Sequence, residues 1–278
     1  MGRLIAFVLV IALLVPAAAL ARAWSLAAGR RAVAAAAVGF VELSPAGSAE
    51  LSRQAAHGRR VRQLGWLLGV AGLVASVVLF AEASVFLWLP ALAAGLLAGV
   101  LLAEVTRPRP RWAVSRPARR PGRGEQVSLV LLWSMRAAMA GELVTALLLG
   151  SSGHLSDAAL TALLVTAALG WLLAELSLAR VLFRPLPAEG ADLPVDEALR
   201  TWTAHLVVAG ASVLALVPLG VLLLLAGVDL GDEVREGSGL LPVALVAGGF
   251  GALAAGLAVA VFLLTWLRPL RQGAAALA

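Results

Sequence analysis

The sequence predicts an all-α protein, a polytopic transmembrane helical bundle of about seven spans built as one N-terminal span followed by three antiparallel hairpins. Three observations lead there. Hydrophobic residues make up 61% of the 278 positions and the mean hydropathy is +0.95, where soluble domains hold roughly 45–50% apolar residues. Apolar runs of bilayer length recur along the chain, and the segments between them alternate between arginine-rich and acidic or neutral. Of the 22 basic residues, all arginine, 19 fall in segments or helix ends on one side of that alternation; Arg3 and Arg235 fall on the other, and Arg136 lies within a span. The positive-inside rule makes the crowded rim cytoplasmic. The chain is then expected in the plasma membrane, with its N-terminus outside and its C-terminus in the cytoplasm.

The first span, Leu4 to Ala21, follows a single arginine and ends in Ala21-x-Ala23, which imitates a signal-peptidase site. Export at that point would place the seven arginines between Arg22 and Arg62 outside, so charge favours an uncleaved span. Residues 22–63 form a basic cytoplasmic linker. Ser44-Pro-Ala-Gly47 is expected to stop a helical piece that begins at Arg30, and Ser48 with Glu50 to start a short second helix ending at Arg62. Arginines so placed suit anionic lipid headgroups, each contributing about 1 kcal/mol near the leaflet.

Gly65 to Phe80 and Val85 to Ala103 make the first hairpin, turned outside by Ala81-Glu-Ala-Ser84. Gly95-x-x-x-Gly99 gives its returning helix a small-residue seam for close packing. Residues 104–125 form a cytoplasmic loop dense in arginine and proline around Trp112, extended rather than folded. Gln126 to Gly150 is the fourth span, roughly 36 Å long as a helix and therefore able to cross a hydrocarbon core of about 30 Å. The turn that follows, carrying His154, ends at Ser156 and Asp157, either of which can cap the fifth span, Ala158 to Phe183. After the acidic cytoplasmic patch Glu189 to Glu197, the last hairpin runs Trp202 to Val228 and Leu240 to Leu267, joined outside by Asp229 to Glu236. Its second helix carries Ala244, Gly248, Ala252 and Gly256 at four-residue intervals, a ridge suited to close burial against another helix of the chain or a second copy. Trp66, Trp88, Trp202 and Trp266 fall at span ends, where interfacial anchors belong.

Charge at membrane depth is the most informative feature. An unpaired charge there costs from about 3 to more than 10 kcal/mol, depending on the reference. Arg136 and Glu142 share the fourth span but lie six residues and about 240° apart, so each needs a partner on another helix. Glu175, near the inner end of the antiparallel fifth span, is the expected partner of Arg136, with Glu104 the substitute. Glu142 has no arginine at its own depth; it is expected to carry a proton, to bond Thr145 or hydroxyls of other helices, or to face water. These residues either lock the bundle into one arrangement or line a solute or proton path.

Leu101-Leu-Ala-Glu104-Val-Thr106 and Leu172-Leu-Ala-Glu175-Leu-Ser177 form a weak internal repeat, and arginine-proline pairs follow the third, fifth and seventh spans at Arg107, Arg184 and Arg268. The stretch LLAEVTRPRPRW, residues 101–112, resembles uncharacterised multi-pass membrane proteins of high-GC Gram-positive bacteria. The resemblance implies the membrane class and brings no activity, cofactor or site.

No catalytic pattern stands out. His-Glu-x-x-His and Gly-x-Ser-x-Gly are absent, a phosphate loop needs a lysine that the chain lacks, and without cysteine there is no thiolate nucleophile. His57, His154 and His205 are scattered, and the spacing of Asp229, Asp232, Glu233 and Glu236 matches no calcium loop. The sequence thus points away from an enzyme, a metal site, a cofactor and a nucleic-acid partner. It points toward a membrane component that packs or assembles with other membrane proteins, with a small-solute or proton permease using Arg136, Glu142 and Glu175 as the alternative.

Overall fold

The computed structural model describes residues 45–80, 126–183, 193–233 and 240–266, together with 95, 98–99, 101–103 and 105–106. Leu4 to Ala21, the turn at Ala81 to Ser84, Glu104, the arginine-proline loop and the arginine-proline pairs after the fifth and seventh spans lie outside these residues, as do Trp88 and Trp112. All regular structure among the described residues is helical: α1 (Pro45–Phe80), α2 (Leu129–Ser151), α3 (Asp157–Phe183), α4 (Leu193–Glu233) and α5 (Leu240–Trp266), with further helical residues between 95 and 105. Among the described residues, four stretches are long and apolar enough to cross a membrane: Leu129–Ser151, Ala159–Phe183, Arg200–Val228 and Leu240–Val261.

The helices differ from the sequence reading mainly in length. Pro45, Ala46 and Gly47 lie inside a helix rather than in a turn before Ser48. Pro45 opens α1, because a first-turn position has no intrahelical N–H bond for proline to forfeit. The helix then continues unbroken for 36 residues through Arg59, Arg60 and Arg62, so the last part of the linker and the second span are one rod. Likewise α4 runs for 41 residues, roughly 62 Å, taking in part of the acidic patch at one end and Asp229 to Glu233 at the other, with Pro218 inside it.

The fourth span begins at Leu129 rather than Gln126, which moves Arg136 to about 10 Å from that end of the helix. The α2–α3 turn is a Schellman close. Gly153 takes φ +80°, its N–H donates to Gly150 O, and the His154 N–H donates to Leu149 O. Carbonyls of the last helical turn are thereby satisfied by a backbone conformation that would strain a side chain at Gly153. Ser156 then caps α3, its Oγ accepting from the Ala159 N–H at 3.3 Å.

Helix α4 is the centre of the bundle. It packs against α2, α3 and α5, and 61% of its membrane-length stretch is buried, compared with 11% for α3. It runs parallel to α2: Thr201 bonds Gln126, Leu219 lies over Gly141, and Leu222 clusters with Ala146 and Leu149. It runs antiparallel to α5, with Gly227 against Val246, Gly220 against Gly249 and Leu253, and Gly256 against Val217. Met135, Met139, Val207, Val208 and Val259 fill the shared core.

Helix α1 and the 95–105 segment meet at backbone distance. A Cβ placed on Gly65 would collide with Gly99 Cα, and one on Gly95 with Gly69 Cα. Only glycine permits that approach.

Candidate functional site

The intramembrane charges are positioned by the α2–α3 hairpin. Because the helices are antiparallel and closed by a short turn, Arg136, seven residues into α2, comes level with Glu175, eight residues from the end of α3. Arg136 Nε donates to Glu175 Oε1 at 2.7 Å and Nη2 to Oε2 at 2.9 Å. This is the bidentate fork that guanidinium and carboxylate geometry favour. The guanidinium also lies 5.3 Å from the centroid of the Trp133 ring, one helical turn away, within cation–π range. The pair sits at the edge of the bundle, with side-chain exposures of 19% for Arg136 and 30% for Glu175, and Trp133 beside it is 63% exposed.

Glu142 is in a different environment. It is 3% exposed and shares the buried face of α2 with Met135, Ala138, Met139 and Ala146. Its carboxyl forms no ion pair with the described residues, and the structure does not bring it to Arg136. Glu104 lies outside the described residues.

Below this pair, toward the rim marked by Gln126 and Arg200, polar groups tie the elements together. Ser177 Oγ bridges the carbonyls of Leu173 at 2.6 Å and Leu101 at 3.2 Å, and Arg180 donates to the Val105 carbonyl. These bonds fasten α3 to the 95–105 segment. Thr106 commits its hydroxyl hydrogen to Leu102 O at 2.7 Å, so its oxygen accepts from His57 Nε2–H at 3.0 Å. His205 and Trp202, expected at the membrane interface, are instead 1% and 6% exposed within the core. The length of α4 explains this, since its extension toward Leu193 puts both residues inside the packed part of the helix. His205 Nδ1 donates to Thr201 O at 2.7 Å.

The small residues sort by face. Gly95 and Gly99 both make backbone-distance contacts with α1. On α5, Gly256 lies against Val217, but Ala244 and Gly248 are exposed and Ala252 is half-buried. The closest approach to α4 falls to Gly249, one position from the ridge expected from spacing. A Cβ there would lie 2.7 Å from Leu224 Cγ and 2.8 Å from Gly220 O. Two interleaved rows of small residues occupy this helix, and only the partner helix distinguishes them.

No family model, curated protein or solved structure matches the chain.

Proposed function

We propose that the chain is a seven-span plasma-membrane protein, N-terminus outside and C-terminus cytoplasmic, that acts without enzymatic chemistry by packing with other membrane proteins. The seven spans and their orientation rest on the apolar runs and on the arginine asymmetry of the full sequence.

The assembly reading rests on the Arg136–Glu175 pair. Arg136 and Glu175, charged residues at membrane depth, are bonded to each other, which favours helix locking over solute binding. The same pair leaves a polar edge on the outside of the bundle, and lipid tails offer that edge no hydrogen-bond partner whereas a neighbouring helix does.

A photo-crosslinking residue replacing Trp133 tests this in native membranes. A discrete adduct with one membrane protein, including a second copy, is expected; lipid adducts alone overturn the reading. Orientation has a separate test. Cysteine introduced at Ser152 should label from outside and at Ser115 should not, and the reverse pattern ends the topology.

A further inference from the structure

The α2/α4 seam holds a line of buried polar groups that the helix-locking role does not use. Two contacts fix which side of α4 faces α2: Thr201 Oγ1 donates to Gln126 Oε1 at 2.9 Å at one end, and Leu219 Cδ2 lies 3.4 Å from the Cβ position of Gly141 at the other. Between them, Thr201, His205, Val208, Ser212, Ala215 and Leu219 recur at alternating intervals of four and three, the spacing of a single helix face. His205 and Ser212 therefore lie on the side of α4 turned to α2, and they are 1% and 5% exposed. Glu142 follows Gly141 on α2 and sits on that helix's buried face. Helical side chains lean toward the N-terminus, so its carboxyl is directed back down the seam toward the level of Ser212.

We propose that this seam is a one-sided proton inlet, running from the Gln126–Thr201 rim past His205 and Ser212 to Glu142, where the proton is held. The ligand is the proton itself, handed by transient water from the imidazole to the carboxyl past Ser212, whose Oγ–H donates to Val208 O at 2.7 Å and whose oxygen is left to accept from the water. His205 Nδ1–H donates to Thr201 O, which fixes the imidazole within the seam. Seven residues separate His205 from Ser212, roughly 10 Å of rise, a gap that two or so hydrogen-bonded waters span. Level with Ser212 on α2 is Met135, fully buried. An unbranched thioether is the apolar side chain best able to swing aside for them.

The charged groups packed around Glu142 do not compete for the proton. Glu175 on α3 is taken up by Arg136, Arg200 lies at the rim beside Thr201, and α5 carries no ionisable residue between Leu240 and Trp266. The inlet stands independently of the assembly reading.

Infrared spectroscopy of the full-length protein in lipid vesicles tests the proposal. A carboxylic C=O band should be present that Glu142→Gln removes. If that variant does not fold, Glu142→Asp should shift the band and assign it equally well. On transfer to deuterated buffer the band should downshift rapidly in the native protein and at least tenfold more slowly in Ser212→Val and His205→Gln, with both variants retaining native melting temperatures. A missing Glu142 band, a band that does not exchange, or exchange unchanged in both seam variants overturns the inlet.

Discussion

The α2–α3 and α4–α5 pairs solve one problem in opposite ways. Both join antiparallel helices at membrane depth, where lipid tails are as apolar as the side chains and burial alone gives little drive for association. Helix α3 is held by directional bonds, the Arg136–Glu175 fork and, on its other side, Ser177 and Arg180. Helix α5 carries no charge and is held to α4 by backbone proximity at Gly220, Gly227, Gly249 and Gly256. A polar join tolerates distance but not the loss of a partner, whereas a glycine join tolerates neither a methyl group nor a shift of register.

Four substitutions sharpen that contrast. The largest effect is expected from Glu175→Gln, which strands the Arg136 guanidinium at membrane depth, where an unpaired charge costs about 3 kcal/mol. Titration of unfolding in mixed micelles should show this loss, and the exchanged pair Arg136→Glu with Glu175→Arg should recover most of it. Failure to recover would mean that the pair is not the clamp.

Next comes Gly249→Val, where the added carbons meet Leu224 and the Gly220 carbonyl. Overpacking of that kind costs about 1–3 kcal/mol, seen as a lower melting temperature. Gly153→Ala follows: a left-handed backbone costs a non-glycine residue about 1–2 kcal/mol, and the same melting assay should register it without disturbing α5. The smallest change belongs to Gly248→Ala, which neighbours Gly249 but meets only Leu223 Cδ1 at 3.7 Å. It should stay within about 0.5 kcal/mol of the native protein, and a large effect would move the α4–α5 contact to the other row of small residues.

Much of this architecture is written in the chain as length and depth. The cores of the four membrane-length helices follow from apolar runs, and the level shared by Arg136 and Glu175 follows from counting residues inward along an antiparallel hairpin. What counting does not supply is rotation and extent. The row through Ala244 and Gly248 and the row through Gly249 are equally small, so the choice between them belongs to the surface of α4. The ends of α1 and α4 were equally hidden. Pro45 opens a helix as readily as it closes one, and the acidic residues beyond Val228 end the apolar run without ending the helical backbone. Trp202 and His205 looked interfacial for the same reason.

Helix α4 is about twice as long as the hydrocarbon layer is thick, some 62 Å against roughly 30 Å, and α2, α3 and α5 all grip its middle. Held upright, such a rod carries its hydrogen-bonded backbone past the hydrocarbon, so the central helix of the bundle belongs to water and to lipid at once.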